Sequence, residues 1–371
     1  MKRDLIIFGE DWGGHPSSTQ HLAHRLARDR RVLWINSLGL RRPRLSTADA
    51  GRLARKGLAL LRNRRSGEAT HSREIGVVSP AVIPWPGSRA AQALNGMLLA
   101  RQIRPHIAAM AARPVFWTSL PTAYPAVDKI KHGPVVYYCG DDFSSLAGVD
   151  HAPVARLERA LVDRADLIVA ASEMLAGKFP AGKTCLLPHG VDVVQFQAPA
   201  LRPADLPSGP VAGFYGNLAD WIDVEALAAA ATMLPDWTFV CVGPVTTDVS
   251  LLAHLPNVRL LGVRPHRELP GYLQHWQVSL LPFRDCPQIR ACNPLKLREY
   301  LAAGTPIVSS SFPALAPYRR FVIEVEPGSS LAPAILAAAV DTGRNALRRA
   351  SIAGESWESR AQTLSERLET L

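Results

Sequence analysis

The segment NPLKLREYLAAGTPIVSS, residues 293–310, has the residue types and spacing most suited to chemistry. Asn293 is a favoured helix N-cap, Pro294 a favoured first helical residue and Gly304 a favoured C-cap, so the segment predicts a helix over 294–303. Lys296 then falls in the first turn, where unpaired backbone N–H groups and the helix dipole already favour an anion. Glu299 follows three residues later on the same face. A cation at a helix N-terminus with a carboxylate one turn deeper fits a nucleotide diphosphate, Lys296 for phosphate oxygens and Glu299 for ribose hydroxyls. The same spacing also occurs as a plain surface Lys–Glu pair on an amphipathic helix.

Two further loops carry candidate groups. VVYYCGDDFSSL, residues 135–146, places Asp141 and Asp142 just beyond the carboxyl end of a predicted strand. A carboxylate there can take the proton from an attacking acceptor hydroxyl, giving direct displacement with inversion. Asp141 is preferred as the first to leave the strand, while Asp142 either shares that role or caps the turn before Phe143-Ser144-Ser145. In the loop at residues 9–23, Gly13-Gly14 lets the chain turn close to a ligand, with His15 beside it. The pair is not G-x-G-x-x-G and makes no dinucleotide fingerprint. Trp117 ends another strand, either lining an acceptor pocket or filling the core, and His189 in a PHG junction either touches ligand or makes a structural hydrogen bond. No Cys/His nucleophile pair, G-x-S-x-G elbow or metal-ligand spacing accompanies these residues.

The elements that must position these groups are short apolar or β-branched runs alternating with helical patterns. Strands are predicted at 4–8, 31–36, 75–78, 115–118, 135–139, 167–170 and 184–187, then at 211–215, 238–242, 258–261, 278–281, 307–309 and 321–325. Helices are predicted at 21–28, 89–110, 154–163, 224–233, 269–275, 294–303 and 332–342. Such alternation gives parallel sheets covered by helices on both faces. The expected architecture is α/β, with two Rossmann-like doubly wound domains at 1–196 and 211–350 facing a cleft. A Pro-rich linker is expected at 197–210, and a charged helix at 351–371 packing back on the first domain. Ligands bind at the carboxyl ends of the strands in such sheets, so chemistry is expected between the domains.

Composition agrees with that division. At 371 residues the chain exceeds one ordinary core, and 47% hydrophobic with 20% charged residues excludes wholesale disorder. The first 200 residues carry a net charge of +11 and the remaining 171 a net of −1. The excess peaks between Arg41 and Arg65, with nine basic residues against the single acid Asp49. A basic amphipathic helix over 48–61 would suit an anionic membrane surface; the alternative is a solvated Arg-rich loop and helix. Nucleic acid is not expected, because no binding motif or aromatic interleaving accompanies the charge. No apolar run reaches the ~18 residues of a membrane span. The amino-terminal stretch lacks a signal-peptide pattern, so the expected location is the cytoplasm, with peripheral attachment at the inner membrane face. Five cysteines without a C-x-x-C pair are expected to be reduced and structural.

The 293–310 segment resembles the nucleotide-sugar site of GT-B glycosyltransferases, especially family-4-type enzymes and the bacterial group acting on exopolysaccharide and teichuronic-type glycans. In the same order along the chain, LLPHGVDVVQF (186–196) is similar to the segment closing their first domain. VAGFYGNLADWIDVEAL (211–227) resembles the opening strand and Gly loop of their second, and NVRLLGVRPHRELPGYLQHWQVSLLPF (257–283) their strand and base-contacting loop. SWESRAQTL (356–364) resembles their terminal crossing helix. The resemblance implies a metal-independent and cofactor-free transfer of sugar from a nucleotide diphosphate sugar to a glycan or lipid-linked acceptor. It implies donor binding by Gly216, Asn217, Arg264, Arg290, Lys296 and Glu299, and an acceptor side near Gly13, Gly14 and His15, beside which the strand end at Trp117 is the further acceptor-side candidate. The chain departs from the pattern at Ala291, where retaining members carry the first Glu of a Glu-x7-Glu pair ending at Glu299. Gly216-Asn217-Leu218 also lacks the following Arg or Lys of many members, which leaves Arg284, Arg290 and Lys296 to neutralise the diphosphate. Rival readings are a nucleotide-sugar epimerase on the same fold and a non-catalytic carbohydrate-binding or scaffold subunit.

Overall fold

The computed structural model describes residues 2–14, 17–37, 75–83, 85, 87–110 and 113–371. His15 and the expected basic helix between Arg41 and Arg65 lie outside the described residues. The chain divides into two compact units, one of residues 1–188 with 360–371 and the other of residues 189–359.

The first unit is built on seven strands, β1 (Leu5–Phe8), β2 (Val32–Ile35), β3 (Ile75–Val78), β4 (Val115–Thr118), β5 (Val135–Cys139), β6 (Leu167–Ala170) and β7 (Thr184–Leu186). They pair in parallel in the order β3-β2-β1-β4-β5-β6-β7. LIIF, VLWI, VFWT, VVYYC and LIVA are buried along their whole length. A parallel strand covered on both faces buries both rows of side chains, so its sequence reads as an apolar run rather than an alternation. The last residues of the Trp357–Glu369 helix belong to this unit. There Leu364 and Leu368 are buried, and Arg30 Nη1 lies 3.2 Å from Glu369 Oε1.

The second unit repeats the design with six parallel strands, β8 (Val211–Tyr215), β9 (Thr238–Val242), β10 (Val258–Gly262), β11 (Val278–Leu281), β12 (Ile307–Ser310) and β13 (Ile323–Val325). Their order is β10-β9-β8-β11-β12-β13. The winding direction therefore reverses at β1/β4 in one unit and at β8/β11 in the other, the place where open α/β sheets bind ligands. No described helix is long and apolar enough to cross a membrane.

Two local expectations differ from the structure. Residues 197–210 lie inside the second unit, and the division falls at 188/189. Their prolines deny ladder pairing but not packing: Leu206 is buried, Ala200 N donates to Gln274 Oε1 at 2.9 Å, and Asp205 Oδ1 accepts from Tyr272 at 2.7 Å. The helix expected from Pro294 spans Leu295–Ala303, with Pro294 as its cap residue and Gly304 left-handed after it. Asn293 is drawn away from capping because its Oδ1 accepts from Arg298 Nη1 at 2.5 Å.

That arginine anchors the helix carrying Lys296 and Glu299. Arg298 is 3% exposed, pairs through Nε with Glu355 Oε2 at 2.8 Å, and donates through Nη2 to Tyr318 at 3.1 Å. Tyr318 in turn donates to Glu355 Oε1 at 2.5 Å. Removing one partner of such a network leaves the others desolvated, a loss of about 3 kcal/mol. Arg298→Ala should lower the urea midpoint of the second unit accordingly; an unchanged midpoint would show that the network does not anchor this helix.

Candidate functional site

In the second unit the candidate site gathers at the carboxyl ends of β8, β9 and β10 and the start of the Leu295–Ala303 helix. Gly216, immediately after β8, has φ +135°, and Gly243, immediately after β9, has φ +142°. Both values favour glycine, and space demands it as well. A Cβ on Gly243 would lie 2.0 Å from the Gly216 carbonyl oxygen, and one on Gly216 would lie 2.1 Å from Lys296 Cε. The bare Gly216 backbone thus gives the Lys296 side chain its path across the end of β8. Its ammonium stands 5.8 Å from the centre of the Phe214 ring, within cation–π range. Burial lowers the Lys296 pKa, and the nearby charges of Glu299 and Cys292 act against that shift.

Glu299 is held from two directions. Its Oε1 lies 2.8 Å from His266 Nε2, and its Oε2 accepts from the Tyr215 hydroxyl. Burial alone would raise its carboxyl. The hydrogen bond and charge of His266, then Tyr215 and Lys296, outweigh it and hold the group below the ordinary carboxylate range. The reverse balance applies to His266, where burial lowers the pKa but the Glu299 hydrogen bond and charge leave it raised.

The other donor-side candidates are placed differently. Asn217 Oδ1 accepts from Thr246 at 3.0 Å beside Gly216. The Arg264 guanidinium is directed to Asp205, at 2.7 Å through Nη2 and 3.2 Å through Nε, and to the Tyr272 hydroxyl. Arg290 is engaged bidentately by Asp285 at 2.6 and 2.7 Å on an exposed surface. Arg284 Nε donates to the Ile222 carbonyl at 3.2 Å. Ala291 is buried at the end of the Pro287–Ala291 helix. Of the six expected donor residues, Gly216, Lys296 and Glu299 form one interacting set.

The first unit carries the acidic candidates at the carboxyl end of β5. Asp142 accepts from Ser144 N at 3.0 Å and Ser144 Oγ at 2.6 Å, and pairs with Lys178. Burial works against its ionisation, but the Lys178 and Ser144 bonds prevail and lower its pKa. Asp141 has its pKa raised, by desolvation first and then by the charges of Glu10 and Asp142. Two adjacent acids are thereby pushed apart: Asp142 is tied into a turn, and Asp141 is the stronger base. Gly13, at φ +76°, has open space where a Cβ would project, and Gly14 N donates to Asp11 O at 3.2 Å. Trp117 is 0% exposed, so it fills the sheet core and offers no surface to a pocket. His189 is also buried, its ring 6.4 Å from that of Trp357.

His266, Tyr215 and Glu10 were not singled out by sequence reasoning. Tyr215 ends a strand that reads as core, and His266 sits in a loop indistinguishable by spacing from a solvated one. Glu10 immediately follows the β1 turn glycine, and that position was its only available signal.

Comparison with known proteins bears on the fold and on the second unit as a whole. Residues 209–341 match the family Glycosyl transferases group 1. The TuaH protein of Bacillus subtilis (strain 168), whose name assigns it to teichuronic acid biosynthesis as a glycosyltransferase, is 32% identical over 217 residues. That match covers 52% of this chain and 55% of the relative, so it spans about half of the relative's length. Among solved structures, Anabaena Alr3699/HepE in complex with UDP and glucose superposes with TM-score 0.72 at 16% identity, over 100% of both chains. Sucrose-phosphate synthase from Thermosynechococcus elongatus gives 0.71 at 17% identity, over 100% of this chain and 99% of its own. The chain therefore has the GT-B fold of two Rossmann-like parallel-sheet domains, and residues 209–341, within its second unit, are similar to the Glycosyl transferases group 1 family.

Proposed function

We propose that this protein is a glycosyltransferase that moves a sugar from a nucleotide diphosphate sugar to a glycan or lipid-linked acceptor in cell-surface or exopolysaccharide synthesis. The observation that carries the reading is the set formed by Gly216, Lys296 and Glu299 at the β8 end of the second sheet. Bare backbone at Gly216 permits close approach of a diphosphate, Lys296 supplies the cation, and Glu299 stays ionised to accept ribose hydroxyls. The relative named for teichuronic acid biosynthesis and the neighbour bound to UDP support the substrate class.

In this reading Asp141 takes the proton of an acceptor hydroxyl whose oxygen forms the new bond to the anomeric carbon. The bond from that carbon to the diphosphate oxygen breaks, with inversion. Lys296 and the unpaired N–H groups of the helix start neutralise the departing diphosphate. No metal is assigned a part, in keeping with the resemblance. Cytoplasmic location, with the basic first 200 residues toward an anionic membrane face, fits their net charge of +11.

Calorimetry with UDP, GDP and dTDP tests the donor site: Glu299→Ala and Lys296→Ala should each weaken the best-bound nucleotide by about tenfold or more, a loss of ~1.4 kcal/mol or more. Wild-type affinity in both variants would refute it. Asp141→Asn should keep nucleotide affinity while transfer falls by about 10²–10⁴; an active variant would move the base elsewhere. Because the Asp141 pKa is raised, protonation should abolish kcat/KM on the acid side at a pH above the ordinary aspartate value of 3.8. An acid limb at or below that value would contradict the assignment. Transfer should also persist in excess EDTA, and loss reversed by a divalent cation would overturn the metal-free reading.

A further inference from the structure

Lys296 and Glu299 stand three residues apart on one helix, a spacing at which opposite charges ordinarily pair. They do not form an ion pair in this structure. Both carboxylate oxygens of Glu299 are instead taken by groups from other elements, His266 from the loop after β10 and Tyr215 from the end of β8. We propose that His266 is the positioning residue of the donor site, holding Glu299 away from Lys296 so that the lysine stays available to phosphate while the carboxylate stays aimed at ribose. The inference rests on the donor-site reading above.

The geometry supports both halves of that role. A glutamate side chain has several free rotors, and a group that reads hydroxyls must be fixed before the ligand arrives. His266 and Tyr215 fix one oxygen each. A carboxylate offers about four lone-pair sites, so each oxygen keeps capacity for a ribose hydroxyl. The imidazole is itself fastened. Gln195 Nε2 lies 3.2 Å from His266 Nδ1 and donates to the His266 carbonyl at 3.2 Å, and the Phe196 ring meets the imidazole edge-on at 5.5 Å. The Nε2 proton of the imidazole is directed at Glu299. Both fastening residues come from the Val193–Gln197 helix. Tyr215 is 5% exposed and packs on Tyr300, whereas the His266 side chain is 20% exposed, which makes the histidine the partner that can be replaced without opening the core.

Without the imidazole, the nearest compensating charge for Glu299 is Lys296. Pairing between them would cancel the phosphate-binding cation and turn the ribose reader at once. The test uses the full chain and calorimetry with UDP, GDP, dTDP and inorganic pyrophosphate, with melting curves confirming that each variant folds. His266→Ala should weaken both the best-bound nucleotide and pyrophosphate about tenfold, the loss expected for one charge-assisted hydrogen bond. His266→Gln, whose amide N–H reaches toward Glu299, should stay within about threefold of wild type, and His266→Asn, with its shorter reach, should behave as the alanine variant. Adding Glu299→Gln to His266→Ala should restore pyrophosphate affinity but not nucleotide affinity, because the lysine is released while the ribose reader is lost. Wild-type affinities in His266→Ala, or equal losses in the Gln and Asn variants, would overturn the positioning role and leave the donor site standing. A wild-type protein that binds none of the four probes would remove the donor site itself.

Discussion

The organising constraint is the placement of one ionised carboxylate. Glu299 is buried, which by itself opposes ionisation, and it stays charged because His266, Tyr215 and Lys296 surround it. Three chain segments must converge for that to happen: the end of β8, the loop after β10 and the Leu295–Ala303 helix. Their convergence explains the glycines at 216 and 243, since a side chain at either position would fill the space that the Lys296 stem or the neighbouring backbone occupies. It also explains the buried Arg298 network. The helix that carries Lys296 and Glu299 is anchored through Arg298 by Glu355, Tyr318 and Asn293.

The first unit uses electrostatics in another way. Asp141 and Asp142 are neighbours in sequence, yet their surroundings divide them. Lys178 and Ser144 stabilise the charge on Asp142, while desolvation, with Glu10 and the Asp142 charge, opposes the charge on Asp141. One acid becomes a structural turn member, and the other becomes a base of raised proton affinity. The division follows from who stands beside each carboxylate rather than from the residues themselves.

Strands buried along their whole length, such as LIIF, VVYYC and VAGFY, were legible because each is an apolar run covered on both faces, and such runs admit few other readings; β3, β7, β10 and β13 are only partly buried. The Leu295–Ala303 helix was legible from Asn293, Pro294 and Gly304, but its first residue was not, because Asn293 Oδ1 accepts from a side chain five positions later and Pro294 is the cap. The proline-rich stretch read as a linker from local backbone preference, whereas tertiary packing of Leu206 and Asp205 incorporates it in the second unit. Arg264 and Arg290 were expected at the donor site from the resemblance, and in the structure Asp205 and Asp285 engage them, partners that charge counting along the chain cannot assign. His266 escaped notice for the complementary reason: its significance arises entirely from a residue 33 positions away.

The central claim is that Lys296, Glu299 and the bare backbone at Gly216 together hold a nucleoside diphosphate. A crystal structure of the full chain grown with whichever of UDP, GDP or dTDP it binds addresses this most directly. The account predicts diphosphate oxygens within hydrogen-bonding distance of Lys296 Nζ and a ribose hydroxyl on the Glu299 carboxylate, with His266 still in place. A nucleotide seated elsewhere, with Lys296 and Glu299 untouched, would contradict it.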